Sequence, residues 1–159
     1  IVYPVDYNNS LGKYTELFLI IHKYKDLPIY TESEWEIPKG KKNKNELYHE
    51  TAIRELEEET NIKKGDYKMI INISSLSEIF TGEDNIIYEN IYYVGICIND
   101  ENIRINANNI HQINEIKNIG LYNKIDALSK IRPYNKSKND IIIKVFEFID
   151  KYKKDLILK

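Results

Sequence analysis

The chain has little of what most folds lean on. Among its 159 residues are one cysteine, one tryptophan, one methionine, three alanines and four prolines. Cys97 alone can form no internal disulfide. That excludes a small fold held by disulfides and fits a reducing, cytoplasmic location. No apolar run nears the ~18 residues of a membrane span; Ile141-Ile142-Ile143, for example, stops at Lys144. Residues 1–14 lack a basic segment followed by a long apolar one, so no signal peptide is expected. Neither sign of charge dominates: 23 basic residues face 25 acidic ones, with a pI near 6.0. Composition alone therefore gives no licence for a nucleic-acid partner. The only Met is Met69 and the chain opens on Ile1, so residue 1 is not expected to be the natural start.

What is abundant is Ile (29), Asn (18) and Tyr (13). These residues share AT-rich codons, and the skew reads as genome drift, not function. The scarcity of Ala weakens every helix assignment, because Ala is the best helix former. Hydrophobic residues make up 42% of the chain, enough for an ordinary core. The length suits one domain, 1–159, with no linker or repeat.

Patterns of apolar residues predict the elements. Strands are expected near Ile1–Val5, over Glu16–Tyr24, at Trp35-Glu36-Ile37 before Pro38, over Lys68–Ile79, over Ile86–Ile98, briefly at Ile103–Ile105 and over Glu115–Tyr122. The run Leu17–Ile21 predicts burial on both faces. A turn at Thr81–Asn85 predicts a hairpin. Helices are expected over Glu46–Thr60, Lys124–Ile131 and Asn139 to about Leu156. The first is capped by Asn43 or Asn45 and ends at Asn61 in the left-handed conformation. The last turns Ile142, Val145, Phe146, Ile149 and Tyr152 to one side.

Chemistry concentrates between Gly40 and Ile62. Glu55, Glu58 and Glu59 share one helix face at i, i+3 and i+4. Three carboxylates so placed repel one another unless a cation lies among them. Clustered oxygens suit Mg²⁺ first and Mn²⁺ second. The preceding loop carries Lys39, Lys41, Lys42 and Lys44 around Gly40, which suits phosphate. A carboxylate run or a lysine loop standing alone is ordinarily a solvated surface. Standing together, they point to metal-assisted attack on a phosphoanhydride.

The spacing of Gly40, Glu46, Arg54-Glu55-Leu56, Glu58-Glu59, Asn61 and Ile62 closely resembles the Nudix box, G-x5-E-x7-R-E-U-x-E-E-x-G-U, where U is bulky and apolar. Eight of nine defined positions match; the departure is Asn61 for Gly, at a helix end that Asn also tolerates. The resemblance implies an α/β Nudix α/β/α sandwich with a mixed β-sheet, a loop–helix–loop catalytic motif and a C-terminal helix. It implies Glu58 and Glu59 as the main divalent-metal ligands, with Glu55 beside them and the Gly40 carbonyl joining. Glu46 and Arg54 would be supports, Arg54 holding the carboxylates in place. The reaction implied is water attack on a nucleoside diphosphate linked to another group.

The flanks narrow the substrate in part. Trp35-Glu36-Ile37-Pro38-Lys39-Gly40-Lys41 resembles the lead-in of mRNA-decapping Nudix enzymes, including decapping and diphosphoinositol-polyphosphate hydrolases of large DNA viruses; Ala52–Glu55 also fits. Asn114–Ile119 resembles a strand that carries an additional acid in that group, making Glu115 a candidate metal ligand or general base. The viral enzymes carry a large insertion that the short stretch Tyr24–Trp35 lacks. Diadenosine-tetraphosphate hydrolases and RNA pyrophosphohydrolases share the lead-in without the insertion and compete as readings. MutT-like and ADP-sugar enzymes more often have Pro-Gly-Gly, so Lys39 argues against them. A Nudix-fold binding module without catalysis usually loses box acids, and none is lost here.

Charge is unevenly spread. Residues 120–159 hold ten Lys/Arg against five Asp/Glu. Lys130, Arg132, Lys136, Lys138, Lys144 and Lys151 could track an RNA backbone or polyphosphate. Tyr88, Tyr92 and Tyr93 could stack on a base. His22, His49 and His111 lack metal-ligand spacing, and His49 reads as structural. Cys97 reads as a buried strand residue. The expected partner is a nucleotide polyphosphate or an RNA 5′ end, with no membrane.

Overall fold

The structure is a computed structural model that describes residues 2–4, 18–23, 34–72, 74–82, 84–131, 133 and 136–152, with backbone alone at 2–4, 18–23 and 152. Strands β1 (Val2–Pro4), β2 (Phe18–Lys23) and β3 (Glu34–Glu36) precede helix α1 (Tyr48–Thr60). Then follow β4 (Tyr67–Met69), β5 (Leu76–Thr81), β6 (Ile87–Tyr92), β7 (Gly95–Cys97), α2 (Ile110–Glu115), β8 (Ile116–Tyr122), α3 (Lys124–Lys130) and α4 (Lys136–Tyr152).

Among the described residues the strands pair as β1-β7-β4, β3-β2-β8 and the hairpin β5-β6. The first sheet is mixed, β1 running parallel to β7 and β4 antiparallel. β2 lies between two antiparallel neighbours, β3 and β8. The burial of its side chains lies outside the described residues.

Two expected long strands are each broken. Six residues lie between Met69 and Leu76, but only two between their partners Gly95 and Tyr92, so four extra residues bulge from the first arm. The polar residues Asn72, Ser74 and Ser75 fall in that bulge and are exposed. Ile70, buried, still donates its N–H to the Val94 carbonyl at 2.9 Å and ties the two halves together. Ile103–Ile105 forms no strand, and helix α2 was not foreseen.

Two apolar clusters hold the elements. One joins Ile142, Val145, Phe146 and Ile149 of α4 to Ile37, Ile70, Val94 and Ile96, with Ala127 of α3 at its edge. The stripe read on α4 is thus buried as expected; the Tyr152 side chain lies outside the described residues. The other joins Leu56 of α1 to Ile62, Tyr67 and Cys97, flanked by Met69 from one sheet and Ile119 and Leu121 from another. Helix α1 is therefore wedged against both three-stranded sheets. That fixes the face its carboxylates present.

Candidate active site

The site is built from the loop after β3 and the exposed face of α1. No asparagine caps the start of α1. Its N-cap is Leu47, whose N–H donates to the Glu50 carboxylate at 2.8 Å. The Asn43 N–H instead donates to Glu46 at 3.1 Å and folds the lysine loop back on the helix.

Arg54 organises the acids. Its Nε and Nη2 grip the two oxygens of Glu46 at 2.8 and 3.0 Å, a two-point geometry that only a guanidinium supplies. Nη1 reaches Glu55 at 2.6 Å and Glu58 at 3.0 Å, and Nη2 also meets the Lys41 carbonyl at 3.0 Å. The Arg54 hydrogen bonds, then the Asn43 N–H, pull the Glu46 carboxyl from its ordinary 4.5 down to about 2. Glu46, chiefly, holds the Arg54 guanidinium even more firmly protonated than usual.

Glu59 is 3% exposed, and its carboxylate accepts the Lys39 N–H at 2.9 Å. Gly40 has a steric reason to be glycine. A Cβ there would fall 1.9 Å from the carboxyl carbon of Glu55 and drive that carboxylate off its place. Gly40, Glu55, Glu58 and Glu59 are thus gathered at one end of the loop–helix unit. Their donors are hard oxygens, the type Mg²⁺ and Mn²⁺ take, so the residues fit a divalent ion. Among the described residues no three acids form a closed cage already; the guanidinium of Arg54 spans Glu55 and Glu58 instead.

A pocket of about 280 Å³ opens beside them. It is lined by Lys39, Gly40, Lys41, Lys42, Tyr48 and Glu55 on one side and by residues 88–93 of the hairpin on the other. The three lysines proposed for phosphate therefore do border one cavity with a box acid. Tyr88 stacks on Phe80 with centroids 5.5 Å apart, and Lys42 lies over the Tyr48 ring.

The far end of α1 is held by amides that sequence reading missed. Asn61 adopts φ 62°, the left-handed end that was expected, and its N–H bonds the Glu57 carbonyl. Asn109 donates to the Glu58 carbonyl at 3.1 Å. Gln112, fully buried, donates to the carbonyls of Glu59 and Arg104 and accepts the Asn106 N–H at 2.7 Å. Asn106 also donates to the Asn61 side chain at 3.3 Å. Composition had made the asparagines look incidental; here Asn109, with Gln112, caps the carbonyls of the very residues that carry the acids, Glu58 and Glu59.

Three side chains sit otherwise than expected. Glu115 is the exposed last residue of α2, not part of β8, which begins at Ile116. His49 is exposed on α1, not a core residue. Lys138 does not belong to a basic surface: it is 7% exposed and bonded to Glu36 at 2.8 Å. Of the other basic residues, Lys130 is half-buried over the rings of Trp35 and Tyr122, while Lys136, Lys144 and Lys151 are exposed. The Arg132 side chain lies outside the described residues. Cys97 is buried, and burial raises its thiol to about 11, so it is an inert strand residue.

Among the described residues no helix is long and apolar enough to cross a membrane. Residues 8–139 match the NUDIX domain family. The chain is 34% identical over 146 residues to an Acanthamoeba polyphaga mimivirus protein named for mRNA decapping, covering 91% of this chain and 39% of that one. It is 32% identical over 123 residues to the African swine fever virus mRNA-decapping protein g5R, covering 74% and 48%. It thus spans less than half the length of these relatives. Two solved structures of the C. elegans Ap4A hydrolase superpose with TM-scores of 0.72, in a binary complex, and 0.68, at 17% identity. They cover 95% and 94% of this chain, and 94% and 93% of their own. Box, fold and family match agree: the chain belongs to the Nudix family.

Proposed function

We propose that this chain hydrolyses a phosphoanhydride in a nucleoside polyphosphate, that the substrate is the capped 5′ end of mRNA, and that the product is m7GDP. The observation that carries this is the Arg54 cluster. It brings Glu55 and Glu58 together, 2.6 and 3.0 Å from one guanidinium nitrogen, beside a pocket bordered by Lys39, Lys41 and Lys42. The viral relatives named for decapping favour the capped end over other anhydrides. Glu58 and Glu59, with Glu55 and the Gly40 carbonyl, would hold Mg²⁺ or Mn²⁺, which supplies Lewis acidity at the phosphoryl oxygens and acidifies the attacking water. The chain's own part is placement. Lys39 positions Glu59 through its N–H, and Arg54 holds Glu46, Glu55 and Glu58 in one array. The lysine side chains offset the polyphosphate charge. Glu115 remains a candidate for an additional acid. Lys136, Lys144 and Lys151 are candidates for contact with the RNA body.

Replacing Glu59 with Gln keeps size and an acceptor for the Lys39 N–H but removes the charge. E59Q should release m7GDP at least about a hundredfold more slowly with an unchanged melting temperature. Turnover equal to wild type would sink the assignment.

The second reading is a dinucleoside-tetraphosphate hydrolase, favoured by the fold match to the Ap4A hydrolase. A panel of capped RNA, triphosphorylated RNA, diadenosine tetraphosphate, ADP-ribose and diphosphoinositol phosphates separates the two. Fast ATP production from diadenosine tetraphosphate, with no m7GDP from capped RNA, would replace the first reading by the second.

A further inference from the structure

We infer that Asn90 selects the base of the bound nucleotide, guanine, by presenting a hydrogen-bond acceptor whose orientation is set by the buried carboxylate of Glu78. This rests on reading the pocket as a nucleotide site. Asn90 of β6 lines that pocket with Tyr48 and Tyr88, and pairs in register with Glu78 of β5. Its Nδ2 donates to Glu78 Oε1 at 2.8 Å, and the Tyr92 hydroxyl donates to the same oxygen at 2.6 Å.

Glu78 is 7% exposed, an uncommon place for an acid outside the box. Burial works against its charged form. The neighbouring Ser137, Tyr92 and Asn90 and the charge of Lys138 outweigh this and hold the carboxyl below its ordinary value. An ionised carboxylate only accepts, so Asn90 must turn its NH₂ toward it; the flipped amide would set two oxygens 2.8 Å apart. The amide's carbonyl is then the group left for the pocket. Ser137 of α4, hydrogen-bonded to Glu78, ties the arrangement to that helix.

An acceptor beside aromatic rings discriminates among bases. Guanine offers adjacent N1–H and N2–H₂ donors. Adenine sets its amino group beside the bare N1 lone pair, which an acceptor repels. Hypoxanthine keeps N1–H and lacks the amine. Tyr88, backed by Phe80, and Tyr48 provide faces on which any base can stack, so the amide and not the stacking carries the choice.

Titration calorimetry with GDP, IDP, ADP and UDP in Mg²⁺ tests this on the intact chain. Wild type should bind GDP tightest, IDP less tightly and ADP about tenfold more weakly than GDP. N90L should bring the GDP-to-ADP ratio to within about twofold. In E78Q the neutral amide can donate to Asn90, which frees its orientation, and the ratio should fall to within about threefold. Equal affinities, no measurable binding, or a preference that persists in N90L would overturn the inference. Should N90L fail to fold, an unchanged ratio in E78Q overturns it. Binding needs no turnover, so the two readings fail separately. A protein that prefers GDP but leaves capped RNA intact keeps the base selector and loses decapping. One that decaps without base preference does the reverse.

Discussion

Helix α1 is held by two different chemistries. Its acid-bearing face is held by charge: Arg54 against Glu46, Glu55 and Glu58. Its C-terminal backbone is held by neutral amides: Asn109 and Gln112 donate to the carbonyls of Glu58 and Glu59, and Asn106 braces the Asn61 side chain. Charges at a partly exposed surface add little to stability, because water screens them and long side chains lose freedom. They do fix where other charges lie, which an array of acids proposed to hold a metal ion requires. Buried amides act the other way. A donor or acceptor left unpaired in the interior costs its full desolvation, so such groups fasten the fold. The acid-bearing side chains of the helix are thus held by charge, while the backbone of its last turn, which carries Glu58 and Glu59, is anchored by amides.

This division breaks if a change at the charged face acts mainly on stability. R54K is the sharpest probe. Lysine keeps the charge but loses the fork that grips Glu46 while reaching Glu55 and Glu58. Turnover should fall about a hundredfold. The melting temperature should fall by no more than about 3 °C, since these pairs are partly exposed. A large melting shift with near-normal turnover of the folded protein would erase the distinction.

The converse probe is Q112L. It leaves the carbonyls of Glu59 and Arg104 and the N–H of Asn106 without their partner in a fully buried spot. The expected cost is about 2–4 kcal/mol, or roughly 5–15 °C in melting temperature. Turnover per folded molecule should stay within about threefold. Thermal unfolding read beside single-turnover rates checks both halves.

The charged face was legible in the sequence for a geometric reason. Its partners lie within 20 residues along one loop and one helix, where the helical repeat alone sets their spacing. Glu46 and Arg54, eight apart, do meet as the box implied. The amide end was not legible. Its bonds join residues 45 to 53 positions apart, and no local period announces them. Helix α2 inverts the usual signal, burying Gln112 while Ile110 and Ile113 stay exposed, so a search for apolar faces passes over it. Lys138 misled for a similar reason. A lysine is presumed solvated, and only the fold brings Glu36 against it across 102 residues. The strand breaks escaped because the bulge after Met69 keeps an apolar residue, Ile70, in the pairing.

Acid offers a subtler test. The Glu46 carboxyl is ordinarily near 4.5 and is held near 2 in the fold. A depressed folded value means its stabilisation is complete above about pH 4.5 and is lost as pH falls toward 2. E46Q should therefore show a shallower loss of melting temperature between pH 4.5 and 2 than wild type. Asp66, lowered first by the Lys63 N–H and tied to Asn99 and Asn102, keeps part of the acid limb in both proteins. Identical limbs would mean that the Glu46–Arg54 grip does not persist in solution.

The smallest expected effect concerns Asn61, where the chain departs from the box. Two terms oppose each other in N61G. Glycine takes φ 62° without the strain a side chain suffers there, a gain of up to about 1 kcal/mol. It also loosens the unfolded chain and surrenders the bond from Asn106, 3.3 Å long and so on the weak side. These nearly cancel, and the melting temperature should move by less than about 2 °C with turnover unchanged. A loss of about 5 °C or more would show that Asn61 stands there for the Asn106 bond and not for its backbone angle. The amide anchor would then extend past the carbonyls of Glu58 and Glu59 to the residue that ends the helix.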